Sequence, residues 1–230
     1  VVLGRELSYE QIKAIVDSCD IETELFVHGA LCVCLSGQCY MSSVLGGRSG
    51  NRGLCAQPCR LDFTSGDRHN ALSLKDLSLI ERLPELQKLG VTSFKIEGRM
   101  KRPEYVAGAV NACRTALDGR TPDLISLKNV FSRSGFTSAY FDDDFRNMQG
   151  VRTKDDVTAA TSKVLSGMRQ YYHKPFKRFS ADISVNVRKD RPISFKISAD
   201  GVSSVAIGNA PEAAVKRAVT AEYLESQCSK

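Results

Sequence analysis

The chain has 230 residues, 42% hydrophobic and 25% charged, with a net charge of +6. That is the makeup of an ordinary globular protein with a sizeable core, in one large or two modest domains. No apolar run approaches the ~18–20 residues needed to cross a bilayer, and no signal-peptide pattern opens the chain.

The opening "VVLG" has no initiator Met and reads as a buried strand in a piece of a longer chain. In "RELSYEQIKAIVDSC", Ser8 followed by Gln11 is a capping-box signature, and Ile12, Ile15 and Val16 mark one helical face. "TELFVHG" (23–29) is a second short strand, followed by a long segment rich in Cys, Gly, Ser and Arg. "SLKDLSLIERLPELQKLG" (73–90) restarts a helical pattern, with Ser73 and Asp76 at its start, Pro84 dividing it and Gly90 closing it. "VTSFKIEG" is a third strand. "RPEYVAGAVNACRTALDG" (102–119) is a helix with Pro103 in its first turn and Gly119 just past its end.

Strands alternating with helices argue for parallel βαβ units. Three such strands leave open edges, so the expectation over 1–123 is the C-terminal part of an incomplete (β/α)₈ barrel, with its other strands upstream of Val1. From about Leu124 the texture changes, and 124–230 is expected to be a smaller α+β module. "KDDVTAATSKVLSGMRQYY" reads as helix, and 179–208 alternates as two or three antiparallel strands with turns at "RKDR" and "ADG". The terminal "PEAAVKRAVTAEYLESQCSK" reads as helix.

The segment "HGALCVCLSGQCYMSSVLGGRSGNRGLCAQPC" (28–59) holds five of the eight cysteines. Disulfide-dense chains are usually small and secreted, which this chain does not resemble. Cys19 and Cys113 fall at core-like helix positions. "CAQPC" has a zinc-type spacing, and "CVC" is tighter than zinc usually takes. Cys32, Cys39, Cys55 and Cys59 supply the four thiolates of an iron–sulfur cluster, with six, fifteen and three residues between them, matching neither ferredoxin pattern. Cys34 is then spare. A nucleophilic thiol would need a His base, and His28, four residues before Cys32, is the candidate. There is no HExxH, no GxSxG and no P-loop lysine, and "GGRSGNRG" reads as a flexible loop. Arg48, Arg52 and Arg60 lie among the cysteines, and in "KIEGRMKR" (95–102) basic residues outnumber the one acid. Such cations suit an anionic substrate or are simply solvated.

"ELFVHGALCVCLSGQCYMSS", "NRGLCAQPCR" and "FKIEGRMKRPEYVAGAVNACR" resemble the successive signature blocks of the collagenase-like peptidase family U-thirty-two. "FSRSGFTSAYF" and "GVRTKDDV" resemble its long-chain members, in which a collagenase-type domain follows the barrel. The resemblance implies a (β/α)₈-like catalytic domain and one of two activities. The family is named for collagen proteolysis, whereas other relatives take part in oxygen-independent hydroxylation of tRNA, of rRNA or of a ubiquinone precursor. These carry a [4Fe–4S] cluster and use prephenate as the hydroxyl source. The thiols matching the cluster ligands are Cys32, Cys39, Cys55 and Cys59. Lys95 and Glu97, at the end of the third strand, stand where barrel enzymes place chemistry and join His28 as candidate catalytic residues. Arg48, Arg52, Arg60 and Arg99 are the candidate substrate-binding cations. The expectation is a cytoplasmic enzyme that acts on tRNA or rRNA, with no membrane contact. A peptidase with a protein substrate, or a zinc-stabilised docking module, is the alternative.

Overall fold

Helix α1 (Tyr9–Ser18) begins where its capping box dictates: the Gln11 amide donates to Ser8 Oγ at 3.4 Å and the Ser8 amide to Gln11 Oε1 at 3.0 Å. It buries Ile12, and its first amide donates to the Phe141 carbonyl. The computed structural model describes residues 1–173, 180–214 and 218–228. They fall into two compact units, 1–174 and 175–230.

The first unit is built on β1 (Glu24–Ala30), in which Leu25 and Val27 are buried. Val2 bridges Glu24 in parallel, so "VVLG" contributes one bridge and the buried Leu3 rather than a full strand. The cysteine-rich segment follows, containing the short helix α2 (Met41–Gly46). Here the helical reading of 73–90 is corrected. Asp76–Ser78 is a strand, β2, antiparallel to β1 with Gly29 opposite Leu77. Asp76 does not start a helix; its carboxylate is buried against Arg133. A 3-10 turn at Ile80–Arg82 leads into α3 (Leu83–Leu89), so Pro84 sits in a first turn, where its missing amide costs nothing.

β3 (Ser93–Ile96) pairs in parallel with β1, as expected. Helix α4 (Pro103–Leu117) then packs a small-residue face of Gly108, Ala109, Ala112 and Ala116 into the core. α5 (Leu124–Val130) and β4 (Phe136–Thr137), parallel to β2, complete a mixed sheet of order β3-β1-β2-β4. After α6 (Lys154–Thr158), α7 (Ser162–His173) lies on α4, with Met168 over Gly108 and Arg169 paired to Glu104 at 2.8 Å. The texture change at 124 therefore does not mark the edge of the first unit, because α5 and α7 close its core. The fold is mixed α/β, and antiparallel β2 departs from an all-parallel barrel sheet.

The second unit is the antiparallel sheet β5 (Asp182–Asn186), β6 (Ser194–Ala199) and β7 (Val202–Ile207), plus α8 (Ala221–Cys228). Asp200 and Gly201 both have positive φ, the type I′ hairpin that an Asp-Gly pair favours. Residues 215–217 and 229–230 of the expected terminal helix, and the first residue of the expected β segment, lie outside the described residues.

Candidate cysteine-cluster site

The cysteine segment is held at both ends by arginines. Arg60 donates from Nη2 to the Leu31 carbonyl at 2.6 Å and from Nη1 to the Leu74 carbonyl at 2.5 Å and Ser73 Oγ at 3.2 Å. Burial lowers its pKa, as does the charge of Arg133. Arg99 donates to the Gly53 carbonyl. Between these anchors, Ser42 Oγ accepts from the Ala56 amide at 3.1 Å and lies 3.7 Å from Cys55 Sγ, while the Gln57 amide points at Cys55 Sγ at 3.3 Å. A Cβ on Gly50 would stand at ordinary contact distance from Cys55 Cβ, 3.6 Å, and from the Cys39 carbonyl, 3.9 Å, so this turn brings the Cys39 and Cys55 segments side by side.

The thiols of the segment are near enough to act on one another's charge. Burial pushes the Cys59 thiol up, the Arg60 charge pulls it down, and Cys32, Cys55 and Cys39 each push it up further. Cys34 is also raised, by burial and by its hydrogen-bonded neighbour Cys39. Cys32 is exposed and accepts from Arg5 Nη1 at 3.3 Å. The same guanidinium donates to Glu97 Oε2 at 3.1 Å and stacks on Phe26 at 3.9 Å. Cys113 is a core thiol pushed up to about 11 by burial, and Cys19 caps α1 with its Sγ on the Ile15 carbonyl. All seven described cysteine side chains are free.

Of the expected catalytic residues, only Glu97 adjoins the thiols, through Arg5. Its neighbour Gly29 has φ +127°, and an added Cβ would come within 2.6 Å of the Glu97 carbonyl and Cβ. Lys95 lies in β3 and donates to Glu24 Oε1 at 2.6 Å, an ion pair at the strand end. His28 is fully buried, stacked on Tyr105 and edge-on to Phe136. Neither ring nitrogen has a hydrogen-bond partner, and burial with the nearby Lys101 charge lowers its pKa to about 4. It does not touch Cys32, so the expected thiol–imidazole pair is not formed. Among the expected cations, Arg48 and Arg52 are exposed, while Arg60 and Arg99 spend their guanidinium groups on backbone carbonyls.

Two features were not read from the sequence as parts of a site. Behind Cys59, Arg133 forms a buried ion pair with Asp76 and donates to Gln57 Oε1 at 3.2 Å, and Lys101 sits on the Phe131 ring. Burial, aided by Arg133, brings Lys101 down to about 8. A cavity of about 570 Å³ opens beside Val33, lined by Arg68, Leu74, Tyr140, Phe145 and Met148 among others. Tyr140 and Phe145 meet edge to face at 5.8 Å. Burial raises the Tyr140 hydroxyl, with smaller contributions from Glu6, Cys32 and Cys34; the cavity meets the cysteine segment at Val33, between Cys32 and Cys34 in the chain. Apart from Tyr140 with Phe145 these pairings are long-range, and only the cation at 101 carried a hint in its local charge run.

The model of Peptidase family U32 matches residues 1–149, the whole sheet and every cysteine of the segment. The chain belongs to this family. It is 42% identical over 173 residues to an uncharacterized protease of Methanocaldococcus jannaschii, covering 64% of this chain and 42% of the relative. It is 42% identical over 137 residues to tRNA hydroxylation protein P1 of Bacillus subtilis, covering 54% and 32%. It is 46% identical over 151 residues to a 23S rRNA 5-hydroxycytidine synthase of Escherichia coli, covering 61% and 22%. The chain thus spans less than half the length of these curated relatives. No solved structure matches it.

The U32 segment carries four soft donors, Cys32, Cys39, Cys55 and Cys59, on a stretch of backbone held by Arg60 and Arg99. Among the described residues no three His, Cys, Asp or Glu side chains are grouped to hold a single metal ion. A lone tetrahedral zinc, with Zn–S near 2.3 Å, needs its thiolates about 3.8 Å apart. The zinc alternative therefore rests on the "CAQPC" spacing alone. A polynuclear group, several atoms across, asks for thiols around a wider space.

Proposed function

We propose that this chain is the cluster-bearing part of a U32 enzyme that hydroxylates a base of tRNA or rRNA without molecular oxygen. The observation that carries the reading is the gathering of Cys32, Cys39, Cys55 and Cys59 in one segment pinned by Arg60 and Arg99. Two of the relatives named above support it, since their names refer to RNA hydroxylation. The four thiolates would hold a [4Fe–4S] cluster, which when bound supplies one-electron transfer, with prephenate as the hydroxyl source. Cys34 remains a spare thiol.

This chain's own residues have separate tasks in this reading. Arg48 and Arg52, exposed within the segment, take RNA phosphates. An extruded base enters the cavity beside Val33 and stacks on Tyr140 or Phe145. Glu97, one guanidinium away from Cys32, is the proton carrier, held in orientation by Arg5. Lys95 and His28 keep structural parts, as strand-end ion pair and core ring. The mixed sheet is read as the C-terminal portion of a (β/α)₈-like barrel, and an RNA substrate implies a cytoplasmic setting. Among the described residues no helix is long and apolar enough to cross a membrane.

The rival reading, a peptidase, lacks a cysteine–histidine pair. Among the described residues His28 is buried without a partner, His69 meets Asp62 and Thr64, and His173 packs on Tyr172. The test is mass spectrometry of nucleosides from tRNA and rRNA of a strain lacking the gene, complemented with wild type or Cys39→Ala. A hydroxylated nucleoside that disappears on deletion and returns only with wild type supports the reading. An unchanged nucleoside profile overturns it.

A further inference from the structure

Among the described residues, Cys32 is the one thiol of the segment that accepts a hydrogen bond from a charged side chain. Arg5 supplies it, with Nη1 3.3 Å from Sγ, while Nη2 donates to Glu97 Oε2 at 3.1 Å. The guanidinium lies over the Phe26 ring, 3.9 Å from its centroid, and the Arg5 side chain is only 16% exposed. Its Nε is buried without a partner. Arg5 and Glu6 form a turn ahead of α1, and Glu6 holds the segment at a second point. Its carboxylate accepts from the Ser36 amide and from Ser36 Oγ, each at 2.9 Å. Two consecutive residues thus grip the segment at Cys32 and at Ser36.

A guanidinium largely removed from water loses hydration, and one carboxylate with one ring face offsets only part of that loss. A neutral thiol is a weak acceptor and adds little. A thiolate carries charge, and an N–H donated to it is of the stronger, charge-assisted kind. A cysteine that ligates a metal does so as the thiolate. The Arg5 fork therefore has its full use when Cys32 is a ligand. Glu97 is placed independently of this fork: its Oε1 accepts from the Arg99 amide at 3.2 Å, and its own amide donates to the His28 carbonyl at 2.8 Å.

We propose that Arg5 is a positioning residue that sets the reduction potential of the group held by Cys32, with Glu97 as the opposing charge. The inference rests on the cluster of the function proposed above, and not on its substrate. Reduction adds one negative charge to a thiolate-held group, and hydrogen bonds and net positive charge at the ligand sulfurs favour the reduced form. Loss of the Arg5 charge then favours the oxidised form. Loss of the Glu97 charge, with the guanidinium kept, favours the reduced form. A pair that served only to hold the backbone would move the potential in one direction whichever member was changed.

The test is a potentiometric titration of the full-length protein, purified anaerobically and supplied with iron and sulfide, followed by its visible spectrum in wild type, Arg5→Gln, Arg5→Lys and Glu97→Gln. Arg5→Gln should shift the oxidised-to-reduced ratio at a given applied potential about tenfold toward the oxidised form, which is about 59 mV for one electron. Glu97→Gln should shift it the other way. Arg5→Lys, which keeps the charge but not the fork, should fall between Arg5→Gln and wild type. Iron and sulfide content of each variant checks that the same group is being read. Should Arg5→Gln hold no cluster, Glu97→Gln, which keeps the guanidinium, decides by its sign. Potentials equal to wild type, or shifts of the same sign in Arg5→Gln and Glu97→Gln, overturn this inference alone. A wild-type protein that takes up neither iron nor sulfide overturns it together with the hydroxylation reading.

Discussion

Replacing His28 with Phe removes the one imidazole buried in the first unit while keeping a flat ring against Tyr105 and Phe136. In the folded protein the His28 pKa is lowered from 6.5 to about 4. The unfolded chain therefore takes up a proton near 6.5 that the folded chain refuses until about 4. Stability from this group is fully present above pH 6.5 and is lost as pH falls toward 4. A shift of about 2.5 units corresponds to about 3 kcal/mol. That is a sizeable part of the 5–15 kcal/mol typical of a domain. The chain has no Trp, so urea unfolding followed by far-ultraviolet circular dichroism under reducing conditions, from pH 7 to pH 4, is the assay. Any packing cost of the larger Phe ring is independent of pH, so the comparison lies in the slope. Wild type should lose about 3 kcal/mol more than His28→Phe between pH 6.5 and 4. Equal losses in the two proteins would refute the burial argument and return His28 to consideration as an accessible base.

Three further outcomes follow from the same structure. Gly29→Ala forces a side chain into a left-handed backbone and against the Glu97 carbonyl, and should cost about 3 kcal/mol, read as a lowered Tm. Arg133→Met strands the buried Asp76 carboxylate and should cost about 3–5 kcal/mol, whereas Arg133→Met with Asp76→Leu should recover most of it; equal destabilisation in the single and double variants would contradict the ion-pair account. Tyr140→Ala and Phe145→Ala, which strip the stacking wall of the cavity, should each lower the hydroxylated fraction of the target nucleoside about tenfold in complemented cells while leaving the fold intact by circular dichroism.

What was legible in the sequence was local. The Ser8–Gln11 capping box, the Asp-Gly hairpin and the Pro103 helix start each depend on neighbours within a few residues, and each formed where the pattern placed it. The failure at 73–90 has a physical cause. "SLKDLSL" carries leucines at spacings that suit either a helix or an extended edge, and pairing with β1 decided in favour of β2. The unit edge was missed for a related reason: α5 and α7 close the core over α4, and the Glu104–Arg169 contact joins residues 65 apart in the chain. The thiols were visible as a cluster because five lie within one segment. The cations behind them were not, because Arg5, Arg133 and Arg152 reach that place only through folding, and isolated arginines carry no spacing signal. His28 looked like a base by its position before Cys32, but sequence distance does not report burial.

In the function proposed above, the four thiols of the segment hold an iron–sulfur cluster. The most direct test is the iron and acid-labile sulfide content of the full-length protein purified anaerobically, with its ultraviolet–visible spectrum, in wild type and Cys39→Ala. Roughly four iron and four sulfide per chain are expected in wild type, with a marked loss of both in the variant. One zinc per chain without sulfide, or iron and sulfide unchanged by Cys39→Ala, would contradict it.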